Sequence, residues 1–246
     1  MENLRISTMT QVATISTSIV LETLFQGLPI GPNISYIAHG YITKGDLKKK
    51  KKKVANDNRK HYFFNQVTLH IVLDKVINMK VFNNGGIQMT GLKSEGQGQR
   101  AIQTFLSEAS KIPNISEIFV DTIIPTIVRK KMVMINSDFD IGFHIDREVL
   151  HREIIRQGYY SSYEPVIYPG VNIKYYHNTN QTNGICVCEG ACDGKGHEGF
   201  CKKITVAVFK SGKIIITGGQ STGHIVKAYE FITGFIRERE DIIKIK

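Results

Sequence analysis

The sequence predicts an α+β fold: two pseudo-repeated halves forming one curved antiparallel sheet, with helices on its convex face. Three observations lead there. The stretch Val81–Gly91 returns as Val208–Gly218, with Val, Phe, Gly, Ile, Thr and Gly at the same six of eleven positions and one offset (209 − 82 = 217 − 90 = 127). A second landmark, Ile19, Glu22 and Leu24, matches Ile145, Glu148 and Leu150 at an offset of 126 (145 − 19). Lastly, strand-like segments outnumber helical ones and tight turns join them, which favours an antiparallel sheet covered on one side. A duplicated supersecondary unit speaks for the whole architecture.

Taken in order, residues 6–16 are β-branched and alternate, the pattern of a strand. A short helix is expected over 19–27, with Ser18 as its cap, ended by Pro29, Gly31 and Pro32. Strands at 64–73, 76–83 and 86–91 form a meander. A helix over 94–112 carries Ile102, Phe105, Leu106, Ala109 and Ile112 on one face, and Pro113 closes it. After a link at 114–130 the plan restarts: strand 130–138, helix 145–157, strand 167–176, then strands 203–210 and 213–219. The last helix, 221–239, has a stripe of Ile225, Tyr229, Ile232, Phe235 and Ile236. These helical stripes are core and carry no chemistry.

The halves differ by where each is interrupted. Leu24 to Phe64 spans 40 residues against 18 from Leu150 to Tyr168; Phe64 to Phe82 spans 18 against 41 from Tyr168 to Phe209. The first repeat is therefore 1–113 with a Lys-rich insertion at about 33–60, and the second is 114–246 with a Cys-rich insertion at about 178–202. Lys48–Lys53 is an unbroken run of lysine whose mutual repulsion predicts a mobile loop. A solvated loop, an import-like signal and a phosphate contact all fit it.

A net charge of +10 over 246 residues suits a polyanionic partner, nucleic acid before membrane. No apolar run is long enough to span a bilayer, and the N-terminus lacks the basic-then-apolar layout of a secretory signal. An intracellular protein is expected. No nucleophile–base–orienter set is apparent, and His70, His151 and His224 stand apart in the sequence, so no enzyme is expected.

Alternation puts Phe82 and Thr90 on one side of the sheet, and Phe209 and Thr217 with them. With aliphatics such as Val12, Val67 and Ile215, and lysines 80, 174, 210 and 213 toward the edges, this is an apolar face that needs a partner. Apolar wedges, small hydroxyl groups and a basic rim are the equipment of minor-groove binders.

Both Phe-x-x-Gly-x-x-x-x-Thr-Gly hairpins, Leu92–Gln97, Asp140–Ile145 and above all Tyr160–Gly170 (Ser161-Ser162-Tyr163-Glu164-Pro165) resemble the TATA-box-binding protein family, over nearly the whole chain outside the insertions and tail. The resemblance implies a saddle-shaped transcription initiation factor, monomeric on DNA, that bends T·A-rich promoter duplexes. It implies two wedge pairs, Phe64 with Phe82 and Tyr168 with Phe209, and base contacts from Thr90 and Thr217. Val12, Thr10, Asn136, Ile215, Lys174 and Lys213 complete the implied DNA-binding set. Glu164 and Ile167 would meet a B-type initiation factor, and RNA polymerase machinery would follow. The site of action would be the nucleus or a cytoplasmic site of viral transcription. Several residues depart from the family: Tyr at 168, Thr10 for an asparagine, Met134 by strict count from Asp140 (Asn136 being two residues away), Gly86 for a lysine and Val166 for an acid. The rival reading is a saddle-fold interaction scaffold that has lost specific DNA binding.

All four cysteines lie between 186 and 201, and Cys186, Cys188, Cys192, His197 and Cys201 are candidate metal ligands. Cys188, Cys192, His197 and Cys201 approximate a zinc-knuckle spacing, with a four-cysteine site as the alternative. One structural zinc, disulfides and free thiols all fit this pattern.

Overall fold

The computed structural model describes residues 3–45, 63–179, 183–197 and 199–245. The Lys48–Lys53 block, and every reading of it, lies outside the described residues. In chain order the elements are β1 (Arg5–Ile15), α1 (Leu21–Gly27), β2 (Ile34–His39), β3 (Ile42–Lys44), β4 (Gln66–Val72), β5 (Val76–Phe82), β6 (Gly86–Leu92) and α2 (Glu95–Ala109). After a 3₁₀ turn at Ile115–Glu117 come β7 (Ile127–Asp140), α3 (Arg147–Arg156), β8 (Tyr160–Ser162), β9 (Val171–His177), β10 (Lys202–Val208), β11 (Lys213–Gly219), α4 (Thr222–Arg237) and α5 (Glu240–Ile243).

The chain divides into two compact units, residues 9–132 and residues 1–8 with 133–246. In the first, the strand order is β3-β2-β4-β5-β6-β1; in the second it is β7-β11-β10-β9-β8, and the pairings within each are antiparallel. The α+β class is thus met in each unit by itself.

Period-two alternation decides which face the helices cover. Val67, Leu69 and Ile71 of β4 and Ile77, Met79 and Val81 of β5 are fully buried, while Gln66, Thr68, His70, Asn78, Lys80 and Phe82 between them are not. Ala101, Ile102 and Phe105 of α2 close over the buried side. In the second unit Val171, Ile173, Ile204, Val206, Ile214 and Ile216 make the equivalent layer beneath Ile225, Ala228, Ile232 and Ile236 of α4. Each such aliphatic contributes about 1.5–3 kcal/mol by leaving water.

The two units repeat one register. Gln11, Val12, Ala13 and Thr14 of β1 face Met89, Gln88, Ile87 and Gly86 of β6; Ser137, Asp138, Phe139 and Asp140 of β7 face Ile216, Ile215, Ile214 and Lys213 of β11. The hairpin turns repeat as well. Gly85 and Gly212 both have positive φ (74° and 86°), and a Cβ on either would strike a carbonyl oxygen, that of Thr17 or of Phe143. Only glycine holds the turn, which is why it recurs.

Several expectations need correction. The stretch taken as insertion from residue 33 includes β2 and β3, with β2 paired along β4. Residues 114–132 pack with the first unit: Ile118 and Phe119 are buried, and Ser18 N donates to Asp121 Oδ2 at 2.7 Å. Ser18 is not the cap: α1 starts at Leu21, two residues too late for it, and Val20 stands at the N-cap position with no side-chain cap. Leu106, Ile112 and Tyr229 are only half-buried, and Gln97 and Gly98 of α2 and Ala228 and Thr233 of α4 are buried instead. Val67 lies under the helices, not on the open face, because it is one residue out of phase with Gln66 and Thr68.

One buried polar side chain marks where the repeats diverged. Gln11 is 2% exposed, its Oε1 has no hydrogen-bond partner, and a Cβ on Gly98 of α2 would collide with that oxygen. The equivalent positions in the second unit are Ser137 and Ile225, so a large strand residue opposite a glycine is exchanged for a small one and a large helix residue. Gly98→Ala is expected to lower stability by about 1–3 kcal/mol through overpacking. In a Gln11→Ala background the same change becomes stabilising by up to about 1 kcal/mol, from helix propensity alone. Urea unfolding of the four proteins checks the change of sign.

Candidate functional site

The faces left uncovered by helices collect the side chains of one phase from each strand. In the first unit these include Val12 and Thr14 of β1, Gly86, Gln88 and Thr90 of β6, and Asn78, Lys80 and Phe82 of β5. Beside Phe82 lies a hollow of about 610 Å³ that also involves Val12, Thr14, Asn65, Arg129 and Lys131. In the second unit a hollow of about 900 Å³ runs from Phe209 past Ile215 and Thr217 to Asn136, Asp138 and Arg5.

The second unit assembles its expected aromatic pair. Tyr168 and Phe209 stand edge-to-face with ring centroids 5.8 Å apart, and Tyr168 is 40% exposed. Gly170 beneath them is in contact range of both rings: a Cβ there would come within 3.0 Å of Tyr168 Cε1 and 3.2 Å of Phe209 Cε1. The loop is held from outside, where the Arg147 guanidinium donates to Pro169 O and lies 5.3 Å from the Tyr163 ring. Glu164 O accepts from Ile167 N and Tyr168 N, and this turn leaves Val166 and Ile167 almost wholly exposed.

The first unit does not assemble its pair. Phe64 is exposed and turned to the β2–β3 turn, edge-on to His39 and Tyr41 and against Gly40. Its neighbour Phe63 is the ring beside Lys80, with its centroid 5.9 Å from Nζ. Sequence reasoning missed Phe63 because the count back from Gln66 and Thr68 selects Phe64, whereas both rings precede β4 and the strand period does not direct them.

The threonines occupy matching places, with different partners. Thr90 faces Thr10 across β6 and β1. Thr10 is 6% exposed, so its hydroxyl is not presented to a ligand lying on this face, contrary to its expected role. In the second unit Thr217 Oγ1 donates to Asn136 Oδ1. Asn136, at the repeat offset from Thr10, is the equivalent residue; Met134, the strict-count candidate, is one pleat further along. Lys174 is not at an edge: it lies half-buried within the face, donating to Asn172 Oδ1 at 2.7 Å and Thr205 Oγ1 at 3.0 Å, and burial holds its pKa below the ordinary lysine value. His70 and Asn78 make the corresponding pair in the first unit at 3.3 Å, and burial likewise lowers the His70 pKa.

Charge separates the two faces. Among the described strand residues that share this phase in the first unit there is no acid, whereas the second carries Asp138 and Asp140 where the first has Val12 and Thr14. Asp138 is paired with Arg5 at 2.9 Å and accepts from Ser7 Oγ; Asp140 stands opposite Lys213. The face is consequently more polar than its sequence suggested. The histidines are not isolated either: His151 Nδ1 lies 2.9 Å from Ser161 Oγ, and the His177 and His224 rings meet at a tilt of 45° with centroids 4.6 Å apart.

Between β9 and β10, the Sγ atoms of Cys186, Cys188, Cys192 and Cys201 all lie within 4.8 Å of one another and could bind a metal. A backbone N–H from Cys201 and hydrogen bonds from neighbouring thiols hold the Cys188 thiol below its ordinary pKa. His197 is outside this group: it is exposed, and its Nε2 lies 3.6 Å from Asp193 Oδ2.

Residues 130–239 match the family described as transcription factor TFIID (or TATA-binding protein, TBP). The chain is 30% identical over 220 residues to a TATA-box-binding protein-like protein of Acanthamoeba polyphaga mimivirus, covering 80% of this chain and 53% of that one. It is 25% identical over 152 residues to the TATA-box-binding protein of Danio rerio, covering 62% and 38%. It therefore spans about half the length of the viral relative and less of the fish one. The solved Methanococcus jannaschii TBP has the same fold, with a TM-score of 0.57 at 18% identity over 96% of this chain and 99% of that chain.

The close approach at Gly170 gives a direct check on the aromatic pair. Gly170→Ala should push the Tyr168 and Phe209 rings apart and change the near-ultraviolet circular dichroism. Because the pair sits at the surface, unfolding stability should fall by less than about 1 kcal/mol.

Proposed function

The chain is a divergent member of the TATA-box-binding protein family, and on that premise we propose that it is a transcription initiation factor that binds and bends T·A-rich promoter DNA through the minor groove. The observation that carries the reading is the Tyr168–Phe209 pair standing at the end of an open face that also presents Ile215 and the Thr217–Asn136 pair. An edge-to-face pair of rings is a wedge of the kind that enters a base step, and this family is itself the standing example of that mode, with a kink of about 80°.

Unstacking a step costs a few kcal/mol and is offset by apolar burial against the widened groove, so flexible T·A steps are the cheapest targets. Phe82 serves the first repeat, and Phe63, whose ring lies by Lys80, is a better second ring than Phe64. Thr90, Thr217 and Asn136 are the candidates for groove acceptors, and Val12 and Ile215 for apolar contact. Lys80, Arg129, Lys131 and Lys213 supply phosphate contacts. Lys174, already shared between Asn172 and Thr205, orders the face more than it reaches outward. Glu164 with the exposed Val166 and Ile167 is the surface for a B-type initiation factor, and through it for RNA polymerase machinery. The protein acts on DNA as a monomer, in the nucleus or at a cytoplasmic site of viral transcription. No helix among the described residues is long and apolar enough to cross a membrane.

One observation favours a second reading. Asp138 and Asp140 place carboxylates on the same face as the aromatic pair, and a duplex laid there meets them. A saddle-fold scaffold that binds a protein partner on this face would tolerate them better. Fluorescence anisotropy on T·A-rich duplexes separates the two. Salt-sensitive binding, weakened at least about tenfold by Phe209→Ala and accompanied by bending in an end-labelled duplex, is the outcome expected of the factor. Absence of binding at low salt would leave the scaffold.

A further inference from the structure

Outside the open faces, the most concentrated chemistry in the protein is the insertion between β9 and β10. We propose that Cys186, Cys188, Cys192 and Cys201 bind one structural zinc ion as a closed four-thiolate site that organises this insertion, independently of whether the protein binds DNA. Four sulfurs at about 2.3 Å from a tetrahedral zinc lie about 3.8 Å from one another. Here all four sulfurs lie within 4.8 Å, with Cys188 and Cys201 at 3.4 Å. That last distance is far beyond the roughly 2.05 Å of a disulfide.

The backbone is built to the same purpose. Cys188 and Cys192 are each followed two residues later by a glycine of positive φ, Gly190 (79°) and Gly194 (69°). Two Cys-x-Gly turns in succession curl the chain tightly around each sulfur, a conformation other residues adopt only under strain. Lys195 N donates to Asp193 Oδ1 at 2.8 Å, which fixes the second turn. Lys203 N donates to Gly194 O at 2.8 Å and Gly196 N to Cys201 O at 3.1 Å, so the turn is stitched to the start of β10 beside the fourth sulfur. Asn178 Nδ2 approaches Cys201 Sγ at 3.6 Å, an outer-layer donor of the sort that steadies a metal-bound thiolate.

Among its described residues the insertion has no apolar core of its own. Val187 and Phe200 are exposed, and Cys201 is the one cysteine of the four that is buried. A segment that short of burial needs a cross-link to hold one conformation, and metal binding supplies it. Four protein ligands leave no open position, so the ion is structural and takes no part in a reaction. His197, close to Asp193 and away from the sulfurs, is not a ligand.

Metal analysis of the full chain purified under reducing conditions should find one zinc per molecule, released when the thiols are titrated. Cobalt(II) added to the zinc-free protein should give the absorption of a tetrahedral thiolate complex. His197→Ala should keep the ion, while the double variant Cys188→Ser/Cys192→Ser should lose it and become susceptible to protease within 178–201. Four freely titrating thiols with neither metal bound, or cysteines found as disulfides in the reduced-buffer preparation, would overturn the proposal. Loss of the ion in His197→Ala would overturn the four-cysteine ligand set. The cobalt spectrum needs only the natural sequence, so it decides the matter even where the serine variant fails to fold.

Discussion

Everything in this protein rests on strict two-sidedness of its strands. Along β4 and β5, every second residue is an aliphatic with no exposed surface, and the residues between them are polar or aromatic. A slip of one residue in register would carry Val67, Leu69 and Ile71 into solvent and bury Gln66, Thr68 and His70 beneath α2. The slip is opposed at the hairpins, where Gly85 and Gly212 sit against carbonyl oxygens that leave no room for a side chain. The helices therefore take one side of each sheet and leave the other to whatever the protein meets.

Against that frame the two repeats have diverged in compensated steps. Gln11 with Gly98 has become Ser137 with Ile225, exchanging volume between strand and helix. The His70–Asn78 pair corresponds to Lys174–Thr205, each a basic side chain hydrogen-bonded across the same two strands. Thr10, buried opposite Thr90, corresponds to Asn136, which accepts from Thr217. Geometry is retained in every case and chemistry is not.

What could be read from the sequence followed from how local each signal was. The hairpins and long helices were legible because period-two and period-3.6 patterns, and glycines forced to positive φ, are written within a few residues. β3 and β8 were not, at three residues each too short to show a period, and β2 was not because its pairing along β4 joins it to a segment far along the chain. Phe64 shares the phase of Gln66 and Thr68 by count, but it precedes β4, where the strand period no longer fixes the direction of a side chain. His197 entered the ligand set because spacing alone does not distinguish a chelating histidine from one beside the carboxylate of its own turn. Of the β7 carboxylates, Asp140 lies past the expected strand end at 138, and Asp138 meets Arg5 and Ser7 from far away in the chain.

Asp138 and Asp140, standing where the other repeat has Val12 and Thr14, break the equivalence of the halves on their outward side. A polyanion set against the second face meets a repulsion that the described strand residues of the first do not offer. Two repeats that began as copies are told apart by charge alone.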